Sequence, residues 1–318
     1  MKNYKKVIIS TVALLVTFPL PAQEKKWQYE SNFDLPGSRA EVYKIIGDVQ
    51  LKIYIYEPQR HKAISKRPAI VFFFGGGWNG GTPKQFQEHC RYLASKGMIA
   101  MAADYRVASR HRTKPFHCVR DGKSAVRWIR QNAKRLGVDQ NKVVAGGGSA
   151  GGHVAACTGT LLKYDEPGEN MNISSVPDAI VLFNPVISTA IESGVVPYGG
   201  NSMEKLIERL GVSDPATLSP YHNIIKSLPP TLLLHGRADK TVPYATVEAF
   251  VSKAKKDMLR VELEGYDNMP HGFFNLGKYD NKMFLATVTR MHVFLKSLGY
   301  LKEKPTVERH LQRLVKLK

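Results

Sequence analysis

Ser149 stands in Gly147-Gly148-Ser149-Ala150-Gly151, just past the apolar run Lys142-Val143-Val144-Ala145. A serine with glycines two positions to either side, between a strand and a helix, predicts a turn so sharp that bulkier residues at 147 and 151 would collide. Such a turn lifts Ser149 Oγ above the sheet edge. It also aims the Ala150 N–H, at the start of the following helix, where a carbonyl oxygen would gain charge. A second glycine run, Gly75-Gly76-Gly77-Trp78, ends the strand-like stretch 68–74. Its flexible backbone lets the Gly75 and Gly76 amides complete an oxyanion hole with Ala150. The chemistry expected is acyl transfer through a serine nucleophile.

A serine hydroxyl is a poor nucleophile at its free pKa and needs a base, which in turn needs an orienting acid. His271, in Met269-Pro270-His271-Gly272-Phe273, is the candidate base, and Asp239, in His235-Gly236-Arg237-Ala238-Asp239, the candidate acid. Asp239 falls just past the apolar run 231–234, at the carboxyl end of a predicted strand, where open α/β sheets place their ligands. Asp267 competes for the acid role by closeness to His271 but lacks that strand-end position. In a chain with 26 glycines and 10 histidines any one of these signals is weak, so the weight comes from their agreement. His153, four residues after Ser149, and His235, beside a predicted buried strand, read as packing or hydrogen-bonding residues. Alternate residues of an extended segment face the same way, so Asp104 and Arg106 are expected to form a structural ion pair behind the site.

These residues require a sheet to hold them. Segments 41–46 and 49–56 read as antiparallel strands, followed by strands at 69–74, 99–103, 142–145, 179–183, 231–234 and 260–263, largely with helices between. The near-continuous apolar runs suit strands buried on both faces of a mostly parallel sheet. Segment 132–139 reads as a solvated turn, and 187–227, with its Pro197-Tyr198-Gly199-Gly200 turn, as part of the rim over Ser149. At 318 residues and 43% hydrophobic composition the chain supports one substantial core.

The order Ser149, Asp239, His271 is the order of α/β-hydrolases. With Gly75-Gly76-Gly77-Trp78, Asp104-Tyr105-Arg106, and Asp121 followed by Ala125-Val126-Arg127-Trp128-Ile129-Arg130, the chain resembles the hormone-sensitive-lipase-like carboxylesterase group of that superfamily. The resemblance runs from the strand before Gly75 to the helix after His271 and implies an α/β-hydrolase fold with carboxylesterase activity. Two positions depart from the group's pattern: Phe74 stands where a histidine is usual, and Gly148 where an acidic residue is frequent. Ser149-Ala150-Gly151-Gly152-His153 also resembles secreted esterases that deacylate polysaccharides, which implies a small acyl ester, foremost acetyl, on a carbohydrate. A prolyl-oligopeptidase-type peptidase shares the elbow and triad order, but those enzymes usually carry an aromatic residue where Ala150 stands. A non-catalytic glycan-binding protein on a hydrolase scaffold is the other alternative.

The N-terminal segment is set apart. Lys2, Lys5 and Lys6 precede the apolar stretch 7–20, and Leu20-Pro21-Ala22 offers a small residue before Gln23. Residues 1–22 therefore read as a signal peptide, 23–301 as the hydrolase domain and 302–318 as a basic tail, with a periplasmic or secreted product. An uncleaved anchor is the alternative. Cys90, Cys118 and Cys157 lack metal-ligand spacing and are compatible with one disulfide and a free thiol or with three buried thiols. The chemistry calls for no metal or cofactor. The net charge of +19 is partly carried by the leader and the tail, where Arg309, Arg313, Lys316 and Lys318 interleave with Leu311, Val315 and Leu317 as in a solvated amphipathic helix. It also allows attraction to acidic glycans or an anionic membrane surface. Nucleic acid is disfavoured, because no base-reading motif is present.

Overall fold

The computed structural model describes residues 29–316 apart from 193, 194, 196 and 199–201. The signal-peptide reading of 1–22, the Gly199-Gly200 half of the rim turn, and Leu317 and Lys318 of the tail lie outside the described residues. The chain opens with β1 (Tyr29–Glu30), β2 (Arg39–Ile46), β3 (Val49–Tyr56) and β4 (Arg67–Phe73). It continues through α1 (Gln87–Ser95), β5 (Ile99–Ala103), α2 (Ala108–His111), α3 (Pro115–Gln131) and α4 (Ala133–Leu136) to β6 (Val138–Gly148). Then follow α5 (Ala150–Thr160), β7 (Ala179–Phe183), α6 (Met203–Leu210), β8 (Thr231–Gly236), α7 (Tyr244–Lys256), β9 (Val261–Tyr266), α8 (Lys282–Ser297) and α9 (Val307–Lys316).

The strands form one sheet in the order β1-β3-β5-β4-β6-β7-β8-β9, with β2 on β3. Pairs β2–β3 and β3–β5 are antiparallel, and every neighbour from β5 through β4 to β9 is parallel. This is the mostly parallel α/β-hydrolase sheet expected. Alternation along the strands divides the core between its two faces. Val71, Phe73, Met101, Ala145 and Leu182 meet α3, α5 and α7 on one face, while Ile70, Phe72, Ala100, Val144 and Val181 meet α1 and α8 on the other. With both faces covered, the central strands are apolar without interruption, which is why periodicity alone could locate them.

Three expectations change. Segment 132–139 is not a solvated turn: it contains α4, closed by Gly137 in the left-handed region, with Ala133 and Leu136 buried in the core. The tail is not a free solvated helix either, because α9 buries Val307 and packs Leu311 against the core formed with α8. Asp104 and Arg106 do not pair with each other. Asp104 accepts from Tyr29, Ser31 and Arg110, whereas Arg106 forks onto Asp121 at 2.7 Å and reaches Glu166 at 2.8 Å, with Lys44 on the same two carboxylates. The chain leaves its extended course after β5, so the alternation argument stops at the strand's last residue.

Candidate active site

The elbow follows from crowding. A Cβ on Gly151 would strike the carbonyl oxygens of Phe73 and Phe74, and one on Gly147 would strike the Gly151 carbonyl, so β6, β4 and α5 approach only through bare backbone. Between them Ser149 sits at φ 55°, ψ −120°, a conformation that costs energy for any L-residue. The neighbours hold it there: Ser149 N–H donates to the Phe183 carbonyl at 2.9 Å, and its own carbonyl accepts from His153 and Val186.

The loops after β8 and β9 bring the base and acid to this serine. His271 Nδ1 lies 2.7 Å from Asp239 Oδ2, and His271 Nε2 lies 2.9 Å from Ser149 Oγ. An ionised carboxylate can only accept, so Nδ1 carries the proton and donates it to Asp239, which leaves the Nε2 lone pair facing the Ser149 hydroxyl. Asp239 is buried, which by itself would raise its pKa. Hydrogen bonds from His235, His271 and the Val242 amide outweigh burial and hold the carboxyl well below the usual range. The Thr241 amide and Asn184 Nδ2 complete five donors on its two oxygens. Asp267, the competing acid, is exposed and paired with Arg237 instead.

The other histidines are set aside by their surroundings. His235 is fully buried and donates through Nε2 to the Val242 carbonyl at 3.0 Å as well as to Asp239, so it fixes the acid loop. His153 donates to the Leu218 carbonyl at 2.7 Å and rests edge-on against Trp78, with burial pushing its pKa down to about 4. The three cysteines are free and buried, and burial raises each thiol pKa well above its ordinary value, which leaves them unreactive packing residues.

The oxyanion loop corrects one assignment. Gly75 N–H is not available to a developing oxyanion, because it donates to Gln85 Oε1 at 2.6 Å. Of the three amides expected, Gly76 and Ala150 remain, and Gly77 lines the same cleft. Gly76 adopts φ 128° and its carbonyl accepts from the Asn79 and Gly80 amides, a tight return that a Cβ would drive into the Gly80 carbonyl. Phe74 replaces the usual histidine as a buried wedge stacked on Tyr105 at 4.2 Å, and the Tyr105 hydroxyl donates to its carbonyl. Gly148 has no room for an acidic side chain, since its Cβ would meet the Phe274 ring at 2.6 Å.

Sequence reasoning missed Gln85, Asn275 and Asn184. Gln85 Nε2 donates to Asn275 Oδ1 at 3.0 Å, and Asn275 Nδ2 donates to the Gly272 carbonyl beside the base, so one amide relay ties the oxyanion loop to the histidine loop. Only Asn184 carried a signal, its place at the carboxyl end of β7. Gln85→Leu should lower kcat by about tenfold to a hundredfold with a smaller change in KM, since it misplaces oxyanion donors rather than deleting them. Gln85→Glu, which keeps the acceptor for Gly75, should recover part of the loss; kinetics equal to wild type for Gln85→Leu would remove this role.

The open cleft over Ser149 has a volume of about 320 Å³ and is lined by Gln85, Tyr198, Thr241, Phe274, Asn275 and Lys278 around Ser149 and His271. Tyr198 is the described part of the expected rim turn that reaches it.

The BD-FAE family model matches residues 53–254. Esterase LipC of Mycobacterium tuberculosis is 29% identical over 239 residues, covering 67% of this chain and 55% of its own length. The probable carboxylic ester hydrolase LipM of the same organism is 31% identical over 59% of this chain and 45% of its own length. The chain thus spans about half the length of these curated relatives. Solved structures match more fully. Thermogutta terrifontis esterase 2 phosphonylated by sarin is 47% identical and covers 85% of this chain and 98% of its own, with a TM-score of 0.81. The native form is 48% identical, covering 85% and 96%, at the same TM-score of 0.81.

Proposed function

The chain belongs to the BD-FAE family of α/β-hydrolases, and on that premise we propose that it is a serine carboxylic ester hydrolase acting on short-acyl esters, acetyl foremost, borne on carbohydrate. The observation that carries the reading is the unbroken path from Asp239 through His271 to Ser149 Oγ beside the Ala150 and Gly76 amides. Ser149 Oγ attacks the acyl carbon while His271 Nε2 takes its proton. The carbonyl oxygen, now an oxyanion, is held by the two amides. Collapse expels the alcohol, which takes the proton from His271 and leaves an acyl-serine. Water, deprotonated by His271, then releases the acid.

The short acyl group is supported by the solved complexes of Thermogutta terrifontis esterase 2 with propionate and with butyrate. Carbohydrate as the alcohol is supported by the polar lip of Gln85, Thr241, Asn275 and Lys278 and by the likeness of 149–153 to secreted polysaccharide esterases. Export is part of the same proposal, on the basic-then-apolar pattern of residues 2–20.

The test is a series of nitrophenyl esters of rising acyl length beside acetylated, feruloylated and unmodified glycans. Acetyl to butyryl esters should exceed octanoyl by at least about tenfold in kcat/KM, and acetate should be released from the acetylated glycan. A preference for the long acyl chain would overturn the short-acyl assignment. Normal nitrophenyl acetate turnover with no acetate from any glycan would overturn the carbohydrate, and a peptide amide cleaved faster than any ester would restore the peptidase alternative.

A further inference from the structure

Beside the catalytic cleft, and sharing Gly77 with it, lies a second recess of about 420 Å³. Arg112, Lys114 and Arg209 stand in its wall, and no carboxylate does. Among the described residues none of the three forms an ion pair, whereas Arg106, Arg110 and Arg237 are each paired with a carboxylate. All three side chains are exposed, and Lys114 Nζ is met by the Glu208 backbone carbonyl at 2.6 Å, so the recess gathers like charges that attract an anion by a field that salt weakens.

The recess is built rather than incidental. The Arg209 guanidinium lies 4.3 Å above the Tyr198 ring and 5.5 Å above that of Trp78, and it donates to the Tyr198 hydroxyl at 2.8 Å. Stacked in this way, its plane is pre-set, and its remaining N–H groups, without a partner among the described residues, can fork onto an anion. A Cβ on Gly77 would lie 3.5 Å from Arg209 Nη2, so the cation sits against the very loop that carries the oxyanion amides. Trp78 is 3% exposed and holds φ 59°, and among the described residues neither its indole Nε1–H nor the Thr113 hydroxyl in the same wall has a hydrogen-bond partner. A non-glycine residue held at positive φ and buried donors left unpartnered at a cleft edge are the kind of outlier that motivates a ligand contact.

We propose that this recess binds a carboxylate of the substrate itself, so that the preferred ester lies on, or next to, an acidic group. It rests on the ester-hydrolase reading and narrows it to anionic esters. The carboxylate can come from the alcohol side, as in an acetylated uronic-acid residue, or from the acyl side, as in a dicarboxylic hemiester. In the first case the acyl group occupies the cleft at Ser149 and the sugar ring bridges past Gly77. In the second, the acyl chain turns toward Arg209.

The test compares kcat/KM for an O-acetylated methyl glucuronide with its O-acetylated methyl glucoside, and for nitrophenyl hemisuccinate with nitrophenyl butyrate, at low and high salt. At low salt the acidic member of one pair should be favoured by about tenfold, and the pair that responds identifies the source of the carboxylate. The preference should shrink at high salt and fall at least about threefold in the Arg112→Gln/Lys114→Gln double variant, whose side chains are exposed and far less entangled with the oxyanion loop than Arg209. Equal rates within both pairs, or a preference untouched by the double variant, would overturn the proposal. Binding of unacetylated methyl glucuronide and of succinate, each against its neutral counterpart, is measured in parallel by calorimetry. A chain that hydrolyses no ester yet binds either acid in a variant-sensitive way keeps the recess and loses the ester-hydrolase reading, whereas one that cleaves neutral esters and binds neither acid loses the recess alone.

Discussion

Ser149→Ala should abolish ester hydrolysis, lowering kcat by roughly 10⁴ to 10⁶, while the melting temperature stays close to that of the wild type. The first half follows because, among the described residues, the only hydroxyl in contact with His271 Nε2 is Ser149 Oγ, at 2.9 Å. The second follows from how the strained turn is held. Its backbone bonds to Phe183, His153 and Val186 do not involve the hydroxyl, and alanine meets the same φ penalty as serine. The freed Nε2 borders the open cleft, where water can replace the lost donor. Labelling by a fluorophosphonate probe should vanish with the hydroxyl. Turnover near the wild-type level in a folded variant would sink the triad.

Asp239→Asn is expected to cost up to about 10⁴ in kcat with a much smaller change in KM. Five donors converge on the two oxygens of this carboxylate, and an amide supplies only one oxygen. If that oxygen serves the Thr241 and Val242 amides, the new NH2 faces Nδ1 of His271. The imidazole must then place its proton on Nε2, where it can no longer accept from Ser149. Asp267→Asn removes only an exposed partner of Arg237 and should change kcat by less than about threefold. A severe defect in Asp267→Asn beside a near-normal Asp239→Asn would reverse the assignment.

The same carboxylate makes a stability prediction with a definite sign. Its native pKa is depressed below the ordinary value of about 4, so its contribution is fully present above that value and is lost as pH falls through the depressed native pKa. The melting-temperature gap between wild type and Asp239→Asn should therefore be widest near neutral pH and narrow on acidification. A gap that widened toward acid would contradict the hydrogen-bonded, ionised carboxylate.

Parts of this site were legible in the residues because local geometry dictates them. Gly147, Gly151 and the apolar run before them imply the elbow, since only bare backbone lets the Gly151 segment pass the Phe73 and Phe74 carbonyls. Asp239 was legible because a strand's end is readable from where its apolar run stops, and β8 runs Thr231–Gly236. The failures share a cause. Asp104 and Arg106 were paired by an alternation rule that holds only within a strand, whereas their actual partners, Arg110 and Asp121, were chosen by the path of the chain after β5.

The sequence by itself determined the sheet, its buried strands and the order of nucleophile, acid and base, because periodicity, glycine sterics and chain order act over a few residues at a time. Only the tertiary structure decided which amides are free. Gln85 and Asn275 lie 190 residues apart and meet only when the loop after β4 folds over the loop after β9, and their meeting takes the Gly75 amide out of the oxyanion hole. Likewise no local pattern marks Arg112, Lys114 and Arg209 as neighbours. They come together because α6 lays its last turn across Trp78, and the fold places no carboxylate there to neutralise them.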